Sequence, residues 1–301
     1  MTDARAESIG EAGGPETGRR RTLPDLFPAL FALPAGVWQT LFFLAPLGVL
    51  VAMTFWTVRS YRLTPDFVLS NWERMLTRGY FWDAYLHTAS LALATAIIAS
   101  VMAFPVACFL AYRAGPGLKR LAIFLLITPF FTSYLVRVYA WKIILAQEGA
   151  LNVALGGLGL GPVGMLDTPA AAIIGFLTLC LPLVILIQTF SLSNVDRSLI
   201  GAAQNLGCSA FATVFKVIIP SARIGLILAA TFAFILSFGD YVAPVFLGGS
   251  NPPTLSILIV DQAKSGNNWP RASVVAVVMT ATLITVLFSM LALAYGTGRR
   301  K

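Results

Sequence analysis

The sequence predicts an all-α integral membrane protein with six transmembrane helices, and three observations carry that prediction. Of its 301 residues, 57% are hydrophobic and only 11% are charged, against about 25% charged in soluble domains. The mean hydropathy is +0.81. Apolar runs of the roughly 20 residues a helix needs to cross hydrocarbon recur six times along the chain. Too little polar surface remains to wet a globule of this size. An ordinary soluble enzyme, a disordered protein and a disulfide scaffold are excluded.

Residues 1–24 are polar and rich in Gly, Glu and Arg, which predicts a disordered cytoplasmic tail. Residues 25–301 make the six-helix domain. A short interfacial segment over 26–33 is expected, broken by Pro24, Pro28 and Pro34. The six spans are placed at 36–58, 87–112, 121–140, 170–190, 222–241 and 272–295. Long apolar runs leave no strand reading. Pro46, Pro105, Pro129 and Pro182 fall inside spans; each removes a backbone donor, kinks its helix, and leaves a carbonyl that packing must re-satisfy.

Orientation follows from the basic residues. The formal charge is +8, from 21 Lys and Arg against 13 Asp and Glu. Arg5 and Arg19–Arg21, Arg113, Lys119 and Arg120, Arg197, Lys216 and Arg223, and Arg299–Lys301 all fall on one side of the predicted spans. That side is cytoplasmic by the positive-inside rule, so both termini are predicted cytoplasmic. The basic excess reads as topology signalling, and no nucleic-acid partner is expected. Cys108, Cys180 and Cys208 have no metal-ligand spacing and read as small packing residues. The single His87 builds neither a metal site nor a catalytic triad. No catalytic residues, metal or cofactor are expected.

The loop between the fourth and fifth spans, placed at 192–220, is the most informative stretch. It is moderately polar and too weakly apolar to span. Ser198 is expected to cap a short helix containing Leu199, Ala202, Ala203 and Leu206. Gly207 suits a left-handed helix end. A second short helix follows Ser209, with Phe211, Val214 and Phe215 as its apolar side, and Pro220 suits the first turn of the fifth span. This is a helix-turn-helix paddle offered to a cytosolic partner.

The loop resembles the EAA loop of membrane subunits of binding-protein-dependent ABC importers. That pattern is Glu-Ala-Ala, three residues, Gly, nine residues, then Ile-x-Leu-Pro. Ala202, Ala203 and Gly207 match it, and Val217, Ile219 and Pro220 close it at the right distance, while Gly201 stands where the family has Glu. The resemblance extends over most of the chain from the first span onward. PFFTSYLVRVYAW (129–141), EGALN (148–152), FGDYVAPVFLGG (238–249) and NWP (268–270) look like the spermidine/putrescine branch. Relatives of that branch carry opines, amino-acid derivatives and other small organic solutes. The resemblance implies a type I, MetI-like permease architecture in a bacterial inner membrane. It implies three partners besides the lipid bilayer: a cytosolic ABC ATPase dimer, a second similar permease forming a heterodimer, and a periplasmic solute-binding protein. ATP would be bound by the ATPase; no P-loop occurs in this chain.

Asp240 ends the predicted fifth span, roughly 28 Å from its start at Ser221 at about 1.5 Å per residue. Tyr134, Arg137, Tyr139 and Trp141 reach a comparable outer depth, and Tyr241 follows Asp240. Such a group can hold a cationic amine by charge and ring faces. The other reading is a structural Asp240–Arg137 ion pair with an interfacial aromatic belt. Glu148 and Asp167 read as outer solvated charges. A secondary transporter would need ionisable groups inside its spans, and an intramembrane enzyme a catalytic constellation; the sequence offers almost nothing for either.

Overall fold

The computed structural model describes residues 26–59, 62–249 and 251–296. The tail 1–24 and the basic C-terminal residues 299–301 lie outside the described residues. The chain divides into two units, residues 1–49 and 50–301. Thirteen α-helices run in chain order among the described residues: α1 Leu26–Gln39, α2 Ala45–Met53, α3 Ser70–Leu76, α4 Gly79–Tyr112, α5 Pro116–Ile127, α6 Tyr134–Leu145, α7 Ala150–Gly157, α8 Pro169–Ser193, α9 Arg197–Asn205, α10 Ala210–Thr213, α11 Ile219–Gly239, α12 Leu255–Lys264 and α13 Trp269–Gly296.

Among the described residues five helices are long and apolar enough to cross a membrane: Leu33–Met53, Gly79–Tyr112, Pro169–Ser193, Ala210–Gly239 and Trp269–Gly296. The expected third span is not one straight helix. Pro116–Phe131 and Tyr134–Gly157 meet at a 93° bend, and only if that pair counts as one span does the number reach six. Pro129 has no N–H to continue the ladder, and Thr132 and Ser133 are extended at ψ 149° and 126°. The first predicted span also ends early. Helix α2 stops at Met53, and Thr57–Arg59 and Arg62–Thr64 form an antiparallel hairpin with Val58 opposite Leu63. The sequence reading allowed no strand here.

The unit from residue 50 is built around α4, α8 and α11, which pack through small residues. In α4, Ala92, Ala96, Ala99, Ala103, Ala107 and Ala111 are buried and recur every three or four positions. Ala222, Ala229 and Ala233, spaced by seven and four, are buried on α11. Gly225 of α11 meets Ser191 of α8 so closely that a Cβ there would collide with the serine side chain. Lipid tails are as apolar as Leu, so hydrophobicity alone does not hold helices together in a bilayer. Close backbone approach over a small-residue seam does.

Two proline sites share one device. A π turn covers Thr40–Leu44 just before Pro46, and another covers Val214–Ile218 just before Pro220. The amide of Ala45 reaches the carbonyl of Thr40, and that of Ile219 reaches Val214, five residues back in each case. The wider turn shifts the hydrogen-bond register where proline supplies no donor and crowds the carbonyl four residues before it.

Candidate functional site

The loop after α8 forms the predicted paddle with one change at its start. Asp196, not Ser198, caps α9: its Oδ1 accepts the Ser198 amide at 2.8 Å. Hydrogen bonding from Ser198, its backbone amide first, holds the Asp196 carboxyl below the usual carboxylate range. Gly207 takes φ +83°, the left-handed conformation that ends α9. The Cys208 amide then reaches back to the Ala203 carbonyl at 3.0 Å. Ser209 caps α10, its Oγ accepting the Ala212 amide at 3.3 Å. From Ala210 the chain runs as one helix to Gly239, so Pro220 lies within a continuous helix, just past the π turn.

Ala203 is buried and Ala202 exposed; Gly201 is half-buried with open space where a Cβ would stand. Ile218 joins Ala107, Ala111, Leu192, Val195 and Ala222 in a core that fixes the paddle to the ends of α4 and α8, with Ile200 and Val214 against it. Val217 and Ile219 are half-buried on the same helix. The outer side is apolar and exposed: Leu206 is 86% exposed, Phe211 80% and Phe215 64%.

At the other end of α11, Asp240 is well occupied. Tyr134 Oη donates to its Oδ2 at 2.5 Å, and the amides of Val242 and Ala243 donate to Oδ1 and Oδ2 at 3.0 and 3.1 Å. Asp240 thereby caps the turn that carries Val242 to Gly248. No Asp240–Arg137 ion pair forms; the ion pair found among the described residues is Arg59–Asp66. Arg137 instead donates from Nη1 to the carbonyl of Thr178 at 3.0 Å, and its guanidinium lies over the Tyr134 ring, 5.7 Å from the centroid. Thr178 stands four residues before Pro182. It is the carbonyl that Pro182, lacking an N–H, leaves without its helical donor. The arginine is thus a structural partner for a proline-freed carbonyl. Trp141 packs beside Val138 and Leu145 against α8. Tyr139 is exposed and rests on Phe246 at 4.8 Å, with Lys142 over both rings. Tyr241 is 37% exposed.

The other sequence segments read as structural joints. Asn152 is buried and donates to the carbonyls of Ala146 and Val163 while accepting the Val163 amide at 2.8 Å. Gly149 packs so tightly that a Cβ would strike the carbonyls of Ile143 and Ile144. Gly249 takes φ +71° against the backbone of Asp167, whose amide donates to the Leu247 carbonyl at 2.9 Å. Asn268 caps α13 by accepting the Arg271 amide at 3.2 Å.

Residues 105–296 match the family described as binding-protein-dependent transport system inner membrane component. The chain belongs to this family. This permease is 29% identical over 266 residues to the spermidine/putrescine transport system permease protein PotB of Escherichia coli (strain K12), covering 87% of this chain and 94% of that one. It is 28% identical over 289 residues to the inner membrane ABC transporter permease protein YdcU of the same strain, covering 90% and 89%. Among solved structures it resembles a chain of a bacterial ABC transporter involved in the import of the acidic polysaccharide alginate. That match has a TM-score of 0.71 at 14% identity over 90% of this chain and 95% of that one. The fold is that of a MetI-like ABC importer permease, and the protein is a multi-pass inner-membrane transport subunit.

Around these sites three features escaped the sequence reading, besides the hairpin and the Met53 end of the first span. The Asp196 cap was visible as an Asp just before the helix, competing with Ser198 two residues on. The 132–133 bend had Pro129 as its signal. The Thr178–Arg137 contact had half a signal, since Pro182 announces an orphaned carbonyl without saying what reaches it.

Proposed function

We propose that this permease forms one half of a translocation pore, paired with a second, similar permease, and that ATP hydrolysis on two cytosolic ATPase subunits drives it. The single observation that carries this reading is the paddle at 192–220, whose inner side is locked to α4, α8 and α11 while Leu206, Phe211 and Phe215 face outward. A surface of exposed apolar anchors on a rigidly mounted element is suited to transmit a partner's movement. Gly201, Ala202, Ala203, Gly207, Val217, Ile219 and Pro220 are the residues assigned to coupling. A periplasmic binding protein would deliver solute at the opposite end. Six crossings with both termini cytoplasmic, a cytoplasmic tail over 1–24 and a permease domain over 25–301 complete the proposal.

The proposed solute is a small organic amine of the polyamine type, supported by the likeness to PotB and by a carboxylate among aromatic rings. Asp240, Tyr241, Tyr134, Arg137, Tyr139 and Trp141 are proposed for the solute pathway, Arg137 and Trp141 as supports. Because Asp240 is held by Tyr134, an arriving ammonium would displace the phenol hydroxyl from the carboxylate.

The reconstituted complex tests both parts. Phe211→Asp with Leu206→Asp should release the ATPase on co-purification while leaving the spans folded; full retention would overturn the coupling role. Uptake of labelled spermidine should fall at least about tenfold in Asp240→Asn, since the neutral amide offers no charge to an arriving ammonium. Unchanged uptake at normal subunit levels removes Asp240 from the pathway.

A further inference from the structure

The paddle carries a second recognition feature beside its apolar rim. A groove opens between α9 and the end of α4, lined among others by Tyr112, Arg113, Arg197, Gly201, Gln204 and Thr213. Arg197, Gly201 and Gln204 stand at i, i+4 and i+7 and share one face of α9. The middle position has no side chain, and nothing lies within 4 Å of where one would start.

Both arginines are exposed. Arg197 reaches the Ala111 carbonyl, at 3.5 Å, and neither arginine joins an ion pair among the described residues. The neighbouring acid, Asp196, takes the Ser198 amide on Oδ1 and makes no ion pair with either arginine among the described residues. Lys119, whose Nζ donates to Ser193 at the end of α8, and Lys216 in the paddle's π turn add positive charge nearby. A groove lined by two arginines outside any ion pair, with open space at Gly201, can accept a carboxylate through charge-assisted hydrogen bonds.

We infer that the groove receives an acidic side chain, Asp or Glu, from the ATPase subunit. In that contact the permease supplies the base and the motor the acid. The inference rests on the proposed seating of the ATPase on the paddle. It goes further by fixing the sign of the charge that the motor presents. Charge complementarity selects a carboxylate. Leu206 and Phe211, exposed at the turn of the same paddle, select a protein as its carrier, because an apolar anchor beside a charged pocket is how protein interfaces combine affinity with register.

The test uses the whole complex and measures ATPase retention against ionic strength. Gly201→Glu places an acid four residues from Arg197, satisfies the arginines from within and fills the groove. Retention should drop about tenfold or more at low salt. Gly201→Gln, of equal size and no charge, also fills the groove and should lower retention by a smaller factor than Gly201→Glu, with the gap between the two variants closing as ionic strength rises. In the Arg197→Lys variant a carbodiimide, which joins ammonium and carboxylate directly, should cross-link residue 197 to an Asp or Glu of the ATPase.

Retention in Gly201→Glu equal to or above that of the parent would overturn the inference, since the motor would then present a base. So would binding that follows added anionic lipid in vesicles and not the ATPase, or a cross-linker yielding no ATPase adduct. The seating itself is judged separately. If Phe211→Asp with Leu206→Asp still holds the ATPase, the paddle is not its seat. If that double variant loses the ATPase while Gly201→Glu keeps it, only the charge assignment fails.

Discussion

Arg137 shows how one side chain takes its role from a proline on another helix. Placing a guanidinium among apolar helices is costly, yet here it supplies the donor that Pro182 withholds from Thr178, at 3.0 Å. The same guanidinium backs Tyr134, which holds Asp240. Three helices are thus tied by one chain of contacts from a kink to a cap. Arg137→Met should cost about 1–3 kcal/mol, the usual range for a buried carbonyl left without a donor, seen as a lower thermal unfolding midpoint in detergent. In a Pro182→Ala background, residue 182 regains its own amide and can pair with Thr178. The cost of Arg137→Met should then shrink by more than half, and a double-mutant cycle measures that difference. Equal costs in both backgrounds would break the link between the two residues.

At the scale of elements, the seam between α8 and α11 sets the tightest limit. Gly225→Val should destabilise the permease by about 1–3 kcal/mol, the cost of overpacking a close contact, and Ser191→Gly should return most of it. Both are read from detergent unfolding of the two single variants and the pair. The paddle's junction with α11 is a different case. There the π turn at Val214–Ile218 removes the conflict that Pro220 would otherwise create in one continuous helix. Pro220→Ala should therefore be tolerated in stability, within about 1 kcal/mol, because the wide turn already carries the local geometry. A larger loss would mean that the proline itself stabilises the turn.

At the scale of the whole molecule, the testable property is topology. Reporter fusions at residues 1 and 301 should both signal from the cytoplasm, and a single cysteine substituted at Asp167 should react with a membrane-impermeant thiol reagent added outside intact cells. Labelling of that cysteine only after the cells are opened would reverse the orientation. Much of this level was legible in the sequence. Five spans, the paddle, its left-handed glycine and its capped second helix follow from apolar length, small residues and capping chemistry. Pro129 announced a kink, but the sharp 93° bend at 132–133 was not legible, because hydropathy reports how apolar a segment is and not its direction. The Met53 end and the hairpin after it were hidden in the same way, since Thr57 and Val58 extend the apolar run without continuing the helix.

By itself, the sequence determined solvent, helical class, family and the position of the paddle. These depend on composition and on spacings within about twenty residues, which act locally wherever the chain goes. The tertiary structure alone decided which groups meet across helices: Tyr134 on Asp240, Arg137 on Thr178, and Arg113 with Arg197 along one groove. Partners 41 or 106 residues apart in the chain are chosen by how helices lean on one another, and that lean is set by small-residue seams and proline kinks acting together.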